Sequence, residues 1–323
     1  MPFGRIFRNV FVLAKIETTS GTDAAPTGAA NAILPVGDVK ITAIEADRVP
    51  RNVKRGYFGS SGSFVGSTWM KIEFSTEKAG SGTAGTAPAW GPLLRACGWA
   101  EAITASTRVD YTPISTALET LSLYAYSDGL QFKFIGACGD LSGATVINGV
   151  PVYNWTFYAP YLAPTAVANP TPTLTAWKDP VLVNDVNTAD LVLGGTYSAG
   201  AISSGTSYVS GGIEWALGNK VSRTELIGAK RSVVTDRNVT GTIKTLDLTA
   251  AQEISLLAAI PAATPTSIGI VHGTTAGYKV LEFFPQARLL GHAYQDVDGI
   301  ITSDFQFEAP PAAGNDDARI VVL

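Results

Sequence analysis

Apolar and turn-forming positions along the chain fall into one pattern that occurs twice. Residues 130–160 (LQFKFIGACGDLSGATVINGVPVYNWTFYAP) and 280–310 (VLEFFPQARLLGHAYQDVDGIITSDFQFEAP) superimpose at a shift of 150 without a gap. Phe134 falls on Phe284, Trp155 on Phe305, Phe157 on Phe307, and Ala159-Pro160 on Ala309-Pro310. Between the apolar runs, Asn148-Gly149 lands on Asp298-Gly299. Both dipeptides tolerate positive φ at the two central positions of a type I′ turn. Each copy therefore predicts a strand, a tight turn and a return strand.

The repeat extends upstream at other shifts. Residues 65–75 (VGSTWMKIEFS) pair with 239–249 (VTGTIKTLDLT) at 174, which sets Trp69, Ile72 and Phe74 on Ile243, Leu246 and Leu248. Residues 37–51 (GDVKITAIEADRVPR) resemble 211–223 (GGIEWALGNKVSR). After each middle strand comes a short apolar helical piece, 91–97 in the first copy and 249–260 in the second. In the latter, Thr249 and Gln252 stand three apart as a capping box. So long a period is not a solenoid repeat. It predicts two mainly β domains in tandem, each with a flanking short helix. The divisions are 1–30, an N-terminal arm; 31–165, a first domain with a long loop at 46–66; and 166–323, a linker and a second domain.

The remaining segments take their place around this pattern. Residues 1–30 are turn-rich but carry Phe3, Ile6, Phe7, Val10, Phe11, Val12 and Leu13, too apolar for a free tail. Packing on a neighbouring subunit or domain is expected. The loop at 46–66 holds Arg48, Arg51, Lys54 and Arg55, then Tyr57 and Phe58. A loop of this length in a compact domain is functional or disordered, and the corresponding stretch of the second copy also carries Lys230 and Arg231. These eight residues are the candidate inter-subunit contacts, with the arginines suited to carboxylates on the next subunit. Residues 80–89 are glycine-rich without the Gly-Lys-Ser/Thr of a phosphate loop, and read as a connector. Residues 161–211 read as a Pro-interrupted linker, a strand-like VLVNDV, and a hairpin with its tip near 200–205. Residues 319–323 read as a last strand.

Composition sharpens the picture. The 323 residues are 46% hydrophobic but only 15% charged, against about 25% in ordinary globular chains. A surface so poor in charge is expected to face other protein. Net charge is −4, without the basic excess of a nucleic-acid binder. Cys97 and Cys138 read as small buried thiols rather than a disulfide. No apolar run approaches 18 residues, and the apolar core near the N-terminus is too short for a signal peptide, so the protein is expected to be cytoplasmic when made.

Chemistry is conspicuously thin. His272 and His292 have no ligand-spaced partners, and no Gly-x-Ser-x-Gly elbow exists. Asp296-Val297-Asp298-Gly299 lacks the later ligands of a calcium loop and reads as a turn. No catalytic, cofactor or metal site is expected.

These residues resemble the major tail tube protein family of long-tailed bacteriophages with flexible, non-contractile (siphovirus-like) tails. The resemblance rests on residues 14–26 (AKIETTSGTDAAP), on 37–51, on the GPLLRACG piece, and on Asp236, Arg237 and Gly241. It implies β-sandwich domains with a flanking helix, whose inner strands join into a β-barrel lumen when subunits close a ring. It implies rings stacked into a tube through which the genome leaves, and contact to the adjacent ring through 46–66 and the N-terminal arm. Implied partners are other copies of the chain, the tape measure protein, tail-terminator or distal tail proteins, and transiently double-stranded DNA; the implied location is the virion tail, without membrane insertion. The duplication departs from a one-domain pattern and suggests three chains per ring with pseudo-sixfold symmetry. A wall facing passing DNA is expected to be acidic and neutral, since each basic contact with a phosphate adds affinity. Alternative readings are a secreted or surface tandem β-sandwich binding module, with Trp90, Trp99 and Trp177 lining a pocket, or another virion component such as a head decoration protein.

Overall fold

In the computed structural model, residues 4–6 and 8–323 are described. The first half runs β1 (Val10–Ile16), β2 (Ala32–Ile33), β3 (Val36–Pro50), β4 (Ser63–Glu77) and α1 (Gly91–Arg95). It continues with β5 (Trp99–Thr104), β6 (Arg108–Pro113), β7 (Leu121–Ser127), β8 (Leu130–Val146), β9 (Val152–Pro160) and β10 (Thr165–Ala166). The second half opens with β11 (Leu191–Leu193), β12 (Thr196–Ser198), β13 (Ala201–Ser203), β14 (Thr206–Tyr208) and β15 (Gly212–Ala216). Next come β16 (Asn219–Leu226), β17 (Ala229–Arg237), β18 (Thr240–Leu246) and α2 (Ala250–Ala262). It closes with β19 (Thr266–His272), β20 (Val280–Val297), β21 (Ile300–Glu308) and β22 (Arg319–Val322).

The chain is mainly β, and one pairing order occurs in both halves. In the first, β3-β4-β9-β8 form one sheet and β8-β7-β1-β2 another. In the second, β15-β18-β21-β20 and β20-β19-β11-β14 repeat the arrangement. β8 and β20 are long because each serves two sheets: its first half pairs with β7 or β19, its second with β9 or β21. Alternation then turns one side chain in two toward the space between sheets. Phe74, Trp155 and Phe157 meet Leu123 and Phe134 there, and Ile243, Phe305 and Phe307 meet Ile268 and Phe284; all are buried in one cluster. α2 starts on the expected capping box, with Thr249 and Gln252 bonded reciprocally.

The two halves are not separate bodies in the sheet. β15 pairs antiparallel with the far edge of β8, Trp215 opposite Gly143. This makes one eight-stranded antiparallel sheet, β3-β4-β9-β8-β15-β18-β21-β20. It does not close into a barrel within the chain. On the other layer, the terminal β22 pairs with β20 on one side and with β6 on the other, so the β5–β6 hairpin of the first half extends a sheet of the second.

Several expectations are corrected here. Residues 10–16 form β1, paired along its length with β7, so Val12, Leu13 and Ala14 are covered by the first domain of the same chain, which narrows the expected neighbouring subunit or domain to that one. Of the apolar residues assigned to the arm, Phe3 and Phe7 lie outside the described residues. The segment 46–66 is not a free loop: β3 runs to Pro50 and β4 starts at Ser63, leaving only 51–62 as a tip. The register of β4 against β18 also differs. Phe74 lies opposite Trp155 and Ile243 opposite Phe305, a shift of 169 rather than 174. In β20 a bulge at Leu290 interrupts the gap-free shift of 150. Asp298 and Gly299 both have positive φ, 52° and 86°, as a type I′ turn needs. Asn148 does (61°) but Gly149 does not, because that loop is stitched to Val183 instead: Asn148 N–H donates to the Val183 carbonyl and Val183 N–H to the Gly149 carbonyl. That stitching takes the place of the strand expected in VLVNDV.

Candidate assembly surface

The joint between halves is closed by a buried polar cluster. Lys78 follows β4, and Glu282 sits on β20; their side chains are 0% and 2% exposed and 2.8 Å apart. Lys78 Nζ also donates to Thr145 Oγ1 at 2.7 Å and lies over the Tyr153 ring. Glu282 accepts from Trp215 Nε1 at 2.9 Å, Tyr153 OH at 3.3 Å and Thr145 Oγ1 at 3.2 Å. Burial pushes the Lys78 ammonium below its usual range, with the Glu282 charge opposing that shift. A buried pair with its lone pairs satisfied fixes how elements meet more than it adds stability.

The eight-stranded sheet turns its other face away from the core. On it lie Lys71, Glu73 and Ser75 of β4, Asn154 and Thr156 of β9, Ser142 of β8, Glu214 of β15, Thr242 and Lys244 of β18, and Gln306 and Glu308 of β21. Its lysines are matched by carboxylates: Lys71 and Lys40 lie 2.8 and 3.4 Å from Glu73, and Lys244 3.1 Å from Glu214. The Lys71 hydrogen bond holds the Glu73 carboxyl below its usual range against the effect of burial. The face is therefore polar without a bare basic strip.

Two hairpins rise from this sheet. The first is the outer part of β3 and β4, with Arg48, Arg51, Lys54 and Arg55 exposed and Tyr57 and Phe58 at 71% and 105% exposure. Arg51 stacks on Phe64 at 5.1 Å. The second, β16–β17, folds over the outer face of the first half. Ser232 Oγ donates to the Gly136 and Tyr158 carbonyls, Arg223 pairs with Glu45, and Lys230 lies over Trp69 and 3.1 Å from Thr68 Oγ1. Lys230 is thus engaged inside the chain, while Arg231 is exposed. The second hairpin meets the base of the first, where Arg223 pairs with Glu45 and Lys230 meets Thr68. The residues sequence reasoning missed are Lys78 and Glu282. Glu282 is a lone charge in an apolar run and Lys78 follows Glu77 in a polar, glycine-rich stretch, and only the fold makes them a pair.

The motifs behind the family resemblance are fastenings. Glu17 is buried and accepts from Gly21 and Gly136 N–H and from the Thr120 and Ser122 hydroxyls, all at 2.7–2.8 Å. Arg237 clamps Asp317 through two nitrogens at 2.5 and 3.0 Å. Gly241 leaves room for the Phe307 ring. Cys97 and Cys138 are free and buried. Trp90 and Trp99 are buried, and Trp177 donates to the Ala32 carbonyl, so none lines an open pocket.

Among the described residues no group of three or more His, Cys, Asp or Glu side chains is placed to hold a metal, and no helix is long and apolar enough to cross a membrane. Residues 8–321 match the family model described as phage tail tube protein, and the chain belongs to that family. It is a structural component of the phage tail that self-assembles into a tube. Among curated proteins none matches the chain significantly.

Proposed function

We propose that this chain is the ring-forming subunit of a flexible, non-contractile tail tube and carries two tube domains in tandem. The observation that carries this reading is the β8–β15 joint. The chain already contains one edge-to-edge sheet contact and leaves two edges, β3 and the outer half of β20, without a strand partner among the described residues. Exposed sheet edges are a template for pairing, and ring closure removes them. Three chains would give a ring of six similar domains, with its lumen lined by the part of the sheet's polar face that β16–β17 leaves uncovered. Paired lysines and neutral side chains on that face suit a conduit that must not grip DNA. The hairpin tip at 51–62 contacts the next ring, with tape measure and terminator proteins as further partners.

Negative-stain electron microscopy of the purified protein at rising concentration tests this. Rings and tubes with a central channel are expected, with three chains in averaged end views. Bilobed single particles at every concentration, even with tail-initiator proteins added, would count against it.

A further inference from the structure

We infer that the chain carries the template for its own contact with a second copy. β3 of one copy pairs antiparallel with the outer half of β20 of the next, in the register that β15 uses on β8. The inference rests on the tube reading above and adds to it which strands meet and residue by residue how.

The correspondence comes from the pairings alone. Phe157 and Phe307 are equivalent residues, and they stand opposite Ile72 and Gly241. Ile41 lies opposite Ile72 as Trp215 lies opposite Gly241, so β3 corresponds to β15. Tyr153 and Ser303 are likewise equivalent, and they stand opposite Gly143 and Tyr294, so the outer half of β20 corresponds to that of β8. Within the chain Trp215 faces Gly143, Glu214 faces Ala144 and Ala216 faces Ser142. Between copies, Ile41 then faces Tyr294, Lys40 faces Gln295 and Thr42 faces Ala293.

Side-chain size supports this register. At the internal joint the large ring belongs to β15, and its partner must be glycine, since a Cβ on Gly143 would lie 2.7 Å from Trp215 Nε1. At the open edges the sizes are exchanged, with the ring on β20 as Tyr294 and the smaller Ile41 on β3. Tyr294 is 62% exposed in the single chain, whereas Trp215 is 3% exposed. Covering an aromatic side chain is what a second copy would accomplish. The chemistry beneath the joint changes too. Leu248 stands where Lys78 does, and Phe132 where Glu282 does, so the contact between copies has no buried ion pair.

The test is a cysteine pair in the full chain, Lys40→Cys with Gln295→Cys, oxidised after assembly. Directly opposite residues have Cβ atoms about 4.5–5.5 Å apart, and a disulfide tolerates Cα separations of about 4.4–6.8 Å. The control, Lys40→Cys with Ala293→Cys, is diagonal at about 7–8 Å. The native thiols do not compete, because burial pushes both upward, Cys138 to about 11. Covalent ladders ending at a closed ring are expected for the first pair, at least about tenfold more than for the control. Tubes that form but cross-link only through the control, or through neither pair, overturn the register while leaving the tube reading intact. A wild-type chain that never forms rings overturns both. Should the cysteines impair folding, an exchange decides instead. Tyr294→Gly alone is expected to shift sedimentation toward single chains, and Tyr294→Gly with Ile41→Trp, which rebuilds the internal joint between copies, to restore rings. Failure of the double variant to exceed the single one overturns the register.

Discussion

Lys78 Nζ lies 2.8 Å from Glu282 Oε1, although the two residues are 204 positions apart and both are buried. Each comes from a different half, and no other buried ion pair is as fully enclosed among the described residues. The pair locates the second half on the first with the specificity of a single hydrogen-bonding geometry.

Removing one partner leaves an uncompensated charge in that cluster. Lys78→Met is expected to cost about 3–5 kcal/mol, the range for a broken buried pair. Adding Glu282→Gln should recover part of this, because the amide still accepts from Trp215 Nε1. Urea unfolding of the single and double variants measures the coupling. Additive losses would show that the pair does not act as a unit.

His272 gives the chain a pH-dependent clip. Its Nε2 donates to the Val181 carbonyl at 3.1 Å, and its Nδ1 lies 2.9 Å from the Thr188 hydroxyl, which can donate to the neutral ring. Burial holds its pKa below the usual value. The unfolded chain therefore binds the proton first. The stability contributed is present above about pH 6.5 and falls as pH drops below it, by at most about 1.4 kcal/mol per pH unit. Urea unfolding from pH 8 to 5 should show this slope, and His272→Gln should flatten it.

Gly212 sits at the start of β15 with φ 106°, and an added Cβ would strike the Thr145 carbonyl across the joint. Gly212→Ala is expected to cost roughly 3 kcal/mol from overpacking and backbone strain together. Thermal unfolding checks the magnitude, and an unchanged midpoint would mean that the joint readily yields at this point.

On the proposed reading, the first hairpin serves stacking and not ring formation. With Arg51, Lys54 and Arg55 reversed to Glu, rings are expected to persist and tubes to shorten at least several-fold by electron microscopy. Because exposed charges are screened within about 8 Å at physiological salt, raising ionic strength should shorten wild-type tubes in the same direction. Full-length tubes from the reversed variant would place the ring-to-ring contact elsewhere.

Much of the local structure was legible before any coordinates. Asp298-Gly299 forms its two-residue turn, Thr249 and Gln252 cap α2, residues 319–322 form the last strand, and both cysteines remain free. The turn and the cap depend on neighbours within a few positions, where backbone preference and short hydrogen bonds decide. The candidate contact surface was legible only as a basic, aromatic stretch. That Lys230 is occupied by Glu225, Thr68 and Trp69 depends on where β16–β17 folds.

The sequence by itself determined most of the strands, the Asp298-Gly299 turn, the recurrence of an aromatic pattern and the poverty of charge. Tertiary structure decided the register of β4 against β18, the bulge at Leu290, the β8–β15 joint and the meeting of Lys78 with Glu282. The reason is physical. Strand side chains repeat every two residues, so alternation marks a face and leaves sliding along the partner open. Only the fit of particular side chains across the pair, Trp215 over Gly143 or Phe74 beside Phe157, selects one alignment, and those partners are brought together by the folded chain.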